Sequence, residues 1–221
     1  YAIYDLEHPL FNVINGGTIK NINFENVDIN RPDQNQIATL GFNLKNKGLI
    51  EDVKVTGSVT GNNDVAGIVN KIDEDGKVEN VAFIGKIDSV GNNSTVGGIA
   101  GSNYMGFVNR ADVDATITAQ NANASMLVPF VTYMLNSWKS GTKARVTNSV
   151  AKGVLDVKIT RNVGGIVAKT WPYGAVQDNV TYAKVIKGQE IFASNDVNDE
   201  DGGPYIKDLF GVVGYSSAED G

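Results

Sequence analysis

One template, repeated at intervals near thirty residues, constrains this chain more than any other feature. It reads apolar-x-x-apolar-x-apolar-x-small-x-apolar. Three copies are clear: Ile50, Val53, Val55, Gly57, Val59; Val78, Val81, Phe83, Gly85, Ile87; and Val108, Ala111, Val113, Ala115, Ile117. A fourth, Val146, Ser149, Ala151, Gly153, Leu155, is weaker in its middle. Ile19, Ile22, Phe24 and Asn26 start an earlier copy that slips by one residue to Val27 and Ile29, and Val176, Val180 and Tyr182 start a late one. The first apolar anchors stand at 19, 50, 78, 108, 146 and 176, so they are spaced 31, 28, 30, 38 and 30 apart. A period of this length means stacked units that bury a continuous core between them.

The period inside each unit sets the architecture. Alternation by two, with Val, Ile and Phe on one face, marks strands. Two residues after each anchor comes Asn21, Asp52, Asn80, Arg110, Asn148 or Asp178, and Asn or Asp at a fixed offset marks a bend where the chain can visit the left-handed region. Between the anchors recurs a glycine-rich hexapeptide: VGGIAG at 96–101 and VGGIVA at 163–168, with looser forms VAGIVN at 65–70 and FGVVGY at 210–215. A phosphate loop would occur once, at a strand-to-helix junction. This one recurs beside strands, its Ile pointing inward and its glycines allowing tight turning and close stacking.

Two strand pieces in the template and one beside the hexapeptide make three per unit. The expected fold is therefore all-β: a right-handed parallel β-helix of about six rungs, with equivalent residues stacked ~4.8 Å apart. Ile50, Val78, Val108, Val146 and Val176 would form one inward ladder. Phe24, Val55, Phe83, Val113 and Ala151 would form a second, and Gly57, Gly85, Ala115 and Gly153 a third with no room for side chains. A propeller needs longer, four-stranded blades, and leucine-rich repeats need a regular Leu and Asn spacing that is absent. The whole of 1–221 reads as one such domain excised from something longer, with insertions at about 126–141 and 187–208.

In the first insertion, Leu127, Phe130, Val131, Met134, Leu135 and Trp138 recur at spacings of three and four. That periodicity, with Pro129 in the first turn and Ser140-Gly141 as a stop, predicts a short amphipathic helix over about 129–139. It would cover the rungs or, through Tyr133 and Trp138, hold a partner. The second insertion carries an acidic run in which Asp196, Asn198, Asp199 and Asp201 supply oxygen ligands of the kind calcium takes. The spacing is not that of an EF-hand, so a solvated loop is the competing reading. Trp171 and Tyr173, in Trp-Pro-Tyr after the second hexapeptide, form an aromatic pair suited to a sugar or protein contact, or packing within their own loop.

The residue inventory narrows the chemistry. There are no cysteines, which excludes disulfides, thiolate zinc sites and cysteine nucleophiles together. The one histidine, His8, lies near the chain start and reads as a surface or terminal residue. No HExxH sequence occurs, so this segment encodes no catalytic or metal site of the zincin class. Asp112 and Asp114 flank inward Val113 and would point outward, with Lys54 on one side and Lys152 on the other to form cross-rung ion pairs. Such a carboxylate pair is a weak signal for glycoside chemistry. A formal net charge of −6 argues against nucleic acid as a partner, and the basic group Lys139, Lys143, Arg145 and Lys152 is too sparse to reverse that. No stretch of ~18 apolar residues is present for membrane insertion.

Two stretches resemble a known family. Residues 76–87 (GKVENVAFIGKI), followed by VGGIAG, resemble the GLUG-type repeats of bacterial surface proteins. Residues 10–29 (LFNVINGGTIKNINFENVDI) are similar to the region preceding the catalytic domain in streptococcal zinc metalloproteases of the immunoglobulin A1 protease family, M26-type. The resemblance implies an extracellular, cell-surface or cell-wall protein of a Gram-positive bacterium. It implies a zinc protease domain outside this segment that cleaves host immunoglobulin A1 at its hinge, so zinc belongs to the parent's catalytic domain and no cofactor to this segment. The segment itself would be a non-catalytic accessory module, a rigid spacer contacting substrate or neighbouring domains. The alternative is an adhesin-type module that binds host protein or glycan.

Overall fold

The computed structural model describes residues 1–131, 144–170, 175–190 and 213–216. The chain winds as a parallel β-solenoid of about five turns. Its strands form a 12-stranded and a 7-stranded sheet, and the described residues contain no helix. In the larger sheet, Thr18–Arg31, Leu49–Gly61, Lys77–Gly97, Phe107–Ser125 and Val150–Gly164 stack in order. In the smaller, Phe11–Asn15, Gly41–Lys45, Val69–Ile72, Ala100–Asn103, Phe130–Val131, Val167–Thr170 and Val213–Ser216 do the same.

The ladders read from the template are present. Ile19, Ile50, Val78, Val108, Val146 and Val176 are register partners in succession. So are Phe24, Val55, Phe83, Val113 and Ala151. Ile50, Val55, Val78, Phe83, Val108 and Val146 are fully buried, and each large apolar side chain removed from water in this way contributes roughly 1.5–3 kcal/mol. The six anchors from Ile19 to Val176 bound five intervals, which are the about five turns that the described residues make.

Each turn bends where the offset polar residue stands. Asn21, Asp52, Asn80, Arg110, Asn148 and Asp178 all have φ between 51 and 56°. The glycine column follows a different need. Gly57, Gly85 and Gly153 have φ of 136, 148 and 103°, and a Cβ on Gly85 would lie 1.9 Å from the Gly57 carbonyl oxygen. Ala115 occupies the same register between Gly85 and Gly153. Ser149, the weak middle of the fourth copy, is 1% exposed yet satisfied: its hydroxyl accepts from Ala111 N–H at 3.0 Å and donates to the Thr147 carbonyl at 2.8 Å.

The hexapeptide turns the chain into the smaller sheet. Leu40, Ile68, Ile99, Leu127 and Ile166 are fully buried and joined in series by backbone hydrogen bonds of 2.8 to 3.3 Å. Leu127 thus sits where the hexapeptide isoleucine sits in other turns, and Met126 and Val128 beside it are buried coil core. The helix expected over 129–139 is corrected at its start. Phe130–Val131 is a strand paired with Asn103 on one side and Lys169–Thr170 on the other, and the Pro129 carbonyl accepts from Ala168 and Lys169 N–H. The apolar spacing that suggested a helix came partly from Leu127 and Val131, which are buried in the coil core. The rest of the stretch, 132–143, lies outside the described residues.

Candidate contact surfaces

Tyr133, Trp138, Trp171 and Tyr173, the four aromatic candidates, lie outside the described residues, as do Asp196, Asn198, Asp199 and Asp201 and the lysines Lys139 and Lys143. His8 is exposed, its ring against the guanidinium of Arg31, with Nη2 to Nε2 at 2.8 Å. Among the described residues no group of three His, Asp or Glu side chains is placed to share a metal ion.

Asp112 and Asp114 project outward as expected, both exposed on either side of buried Val113. Of the two expected neighbours, Lys152 is in place and Lys54 is not. Asp114 stands opposite Lys152, but the two make no ion pair, and Ala82 intervenes between Asp112 and Lys54. Lys54 is therefore two rungs away, because the template places it one unit earlier than the unit that abuts Asp112. Arg145 sits over the Phe107 ring at 5.8 Å, a cation–π contact across adjacent rungs.

Sequence reasoning missed the polar ladders along the corners. Asp64 Oδ1 accepts from both the backbone N–H and the hydroxyl of Thr95 at 2.9 Å, while Asn70 Nδ2 donates to the Asp64 carbonyl. Asn103, fully buried, closes the next turn by donating to Gly106 O at 3.0 Å and Arg145 O at 3.2 Å, and accepting from Gly106 N at 2.7 Å. The recurrence of Asn at 35 and 63, joined by Nδ2 to Oδ1 at 3.2 Å, was a readable signal. These groups hold turns together by satisfying buried backbone.

Among the described residues, exposed large apolar side chains are concentrated in the first and last strands of the coil. Of the large apolar side chains left exposed, Tyr1, Tyr4, Phe11 and Val13 belong to the first strands, and Val180, Tyr182 and Ile186 to the last described part of the larger sheet. Among the described residues between them, Ile84 and Val90 are the other exposed large apolar side chains.

Residues 1–57, which include the exposed first strands, match the family model for the M26 IgA1-specific metallo-endopeptidase N-terminal region. Zinc metalloprotease ZmpB of Streptococcus pneumoniae serotype 4 is 53% identical over 220 residues, covering 98% of this chain and 12% of the relative. The chain belongs to the M26 family, within its N-terminal region. Zinc metalloprotease ZmpC of the same organism is 32% identical over 90% of the chain and 11% of the relative. An immunoglobulin A1 protease of Streptococcus sanguinis is 26% identical over 77% of the chain and 9% of the relative. The chain thus spans about an eighth or less of these M26 relatives. The zinc in the names of ZmpB and ZmpC finds no fitting donor set in the described part of this segment. With no cysteine in the chain and His8 its only imidazole, the nitrogen and sulfur ligands zinc favours are nearly absent.

Proposed function

We propose that this segment is a non-catalytic accessory module of a streptococcal surface zinc metalloprotease, a stiff spacer that places its neighbours relative to one another and to a large substrate. The observation that carries this reading is one continuous solenoid core within a stretch aligned along 98% of the chain but 12% of a zinc metalloprotease. Stacked parallel rungs share side-chain ladders, so the module resists bending and transmits position along its axis. In this reading the substrate is immunoglobulin A1, the zinc sits in the parent's separate catalytic domain, and the protein works outside the cell.

The test replaces the segment in the full-length protease by a flexible linker and compares two substrates. Cleavage of a short hinge peptide is expected to survive, while cleavage of intact immunoglobulin A1 falls by about tenfold, the loss of orientation costing roughly 1.4 kcal/mol. Equal retention of both activities would refute a positioning role. Binding of the isolated module to host protein or glycan, with both cleavages intact, would favour an adhesin instead.

A further inference from the structure

Residues 1–15 are the closing part of a further coil. Ala2, Ile3 and Tyr4 pair in parallel with Asn23, Phe24 and Glu25, an offset of 21. The offset carries the backbone with it: Asp5 has φ 57° where Asn26 has 58°, and the Leu6 carbonyl accepts from Asp28 N–H at 3.0 Å. Extended upstream, the same offset sets Tyr1 over Ile22, the preceding residue over left-handed Asn21, and the third residue before Tyr1 over the anchor Ile19.

No described residue takes that place. Among the described residues no strand pairs with residues 18–20 on the side away from Leu49–Gly61. Ile19 and Ile22 are half-buried, although their ladder partners Ile50 and Val53 are buried. The edge strands Ala2–Tyr4 and Phe11–Asn15 contain no charged residue and no proline, the devices that usually keep a free edge from pairing.

We propose that the residues just upstream of Tyr1 in the parent polypeptide form a parallel strand on residues 18–22, ending apolar-x-(Asn or Asp) before Tyr1, and so join the solenoid to what precedes it. Ala2–Tyr4 already occupies the adjoining register, so the incoming backbone is delivered to the gap covalently, an advantage that no separate chain shares. The apolar residue would cover Ile19, and the Asn or Asp would make the left-handed bend as Asn21, Asp52 and Asn80 do. This deepens the interdomain role proposed above and rests on the segment lying inside a longer chain.

The experiment is hydrogen exchange on this chain and on the same chain extended upstream by one coil's length of its native sequence. Exchange over residues 18–22 is expected to slow roughly tenfold or more in the extended protein, independently of concentration. Unchanged exchange would overturn the proposal. So would protection in the unextended chain that grows with concentration, which would assign the edge to a second copy. The upstream sequence is an independent readout: a charged residue at the third position before Tyr1 contradicts the proposal even if the extended protein does not fold. Neither readout uses cleavage, so the edge can fail while the accessory role stands, and the reverse.

Discussion

Arg110 is the one residue of the bend column that is neither Asn nor Asp, yet it takes the same left-handed backbone, with φ 53°. Its side chain meets Glu79 at 2.8 Å, but at 58% side-chain exposure such a pair contributes little. Arg110→Asn relieves the backbone and gives up the pair, so denaturant unfolding is expected to show a change within about 0.5 kcal/mol. Asn80→Val, in contrast, puts a β-branched residue at φ 51° and removes the bond to Asp52, and is expected to lose about 1–2 kcal/mol. Gly85→Ala drives a Cβ into the Gly57 carbonyl and is expected to cost about 2–4 kcal/mol in the same measurement. If Gly85→Ala proved neutral, the close approach of rungs at that column would be wrong.

At the scale of the strand, side chains act through the rungs above and below. Phe83 lies between Val55 and Val113 and is fully buried, so Phe83→Ala is expected to cost about 3–5 kcal/mol. Ser149→Val restores the apolar template but strands the Ala111 N–H that the hydroxyl satisfies, so a loss of about 1–3 kcal/mol is expected where pattern alone would forecast a gain. The strands and their register were legible because inward residues repeat identically and the bend needs a particular backbone, leaving Asn or Asp at a constant offset. Two elements hid for physical reasons. Residues 126–128 do the work of the glycine hexapeptide with Met-Leu-Val, where only the buried ladder position of Leu127 survives, and a periodicity of three and four across 127–138 resembled a helix. Residues 1–15 hid because their offset of 21 is shorter than any anchor spacing. The outward carboxylates and Lys152 opposite Asp114 were placed correctly, but Lys54 was not and no ion pair forms, since surface neighbours depend on which unit abuts which.

At the scale of the whole molecule, the repeat makes length adjustable in whole turns only. Removing residues 78–107 takes out 30 residues from one anchor to the next and brings Val108 to the place of Val78, directly over Ile50. Every ladder then stays in register one rung shorter. Removing residues 78–92 instead cuts the turn midway and sets non-equivalent residues over one another. In the proposed role, an intact stack of this geometry positions the parent protease. The most direct measurement is therefore the cleavage of intact immunoglobulin A1, relative to a hinge peptide, by full-length protein carrying each deletion. The whole-turn deletion is expected to keep the ratio within about threefold, and the half-turn deletion to lower it about tenfold with peptide cleavage retained. A half-turn deletion that cleaves intact immunoglobulin as well as the whole-turn deletion does would contradict a positioning role for the intact stack.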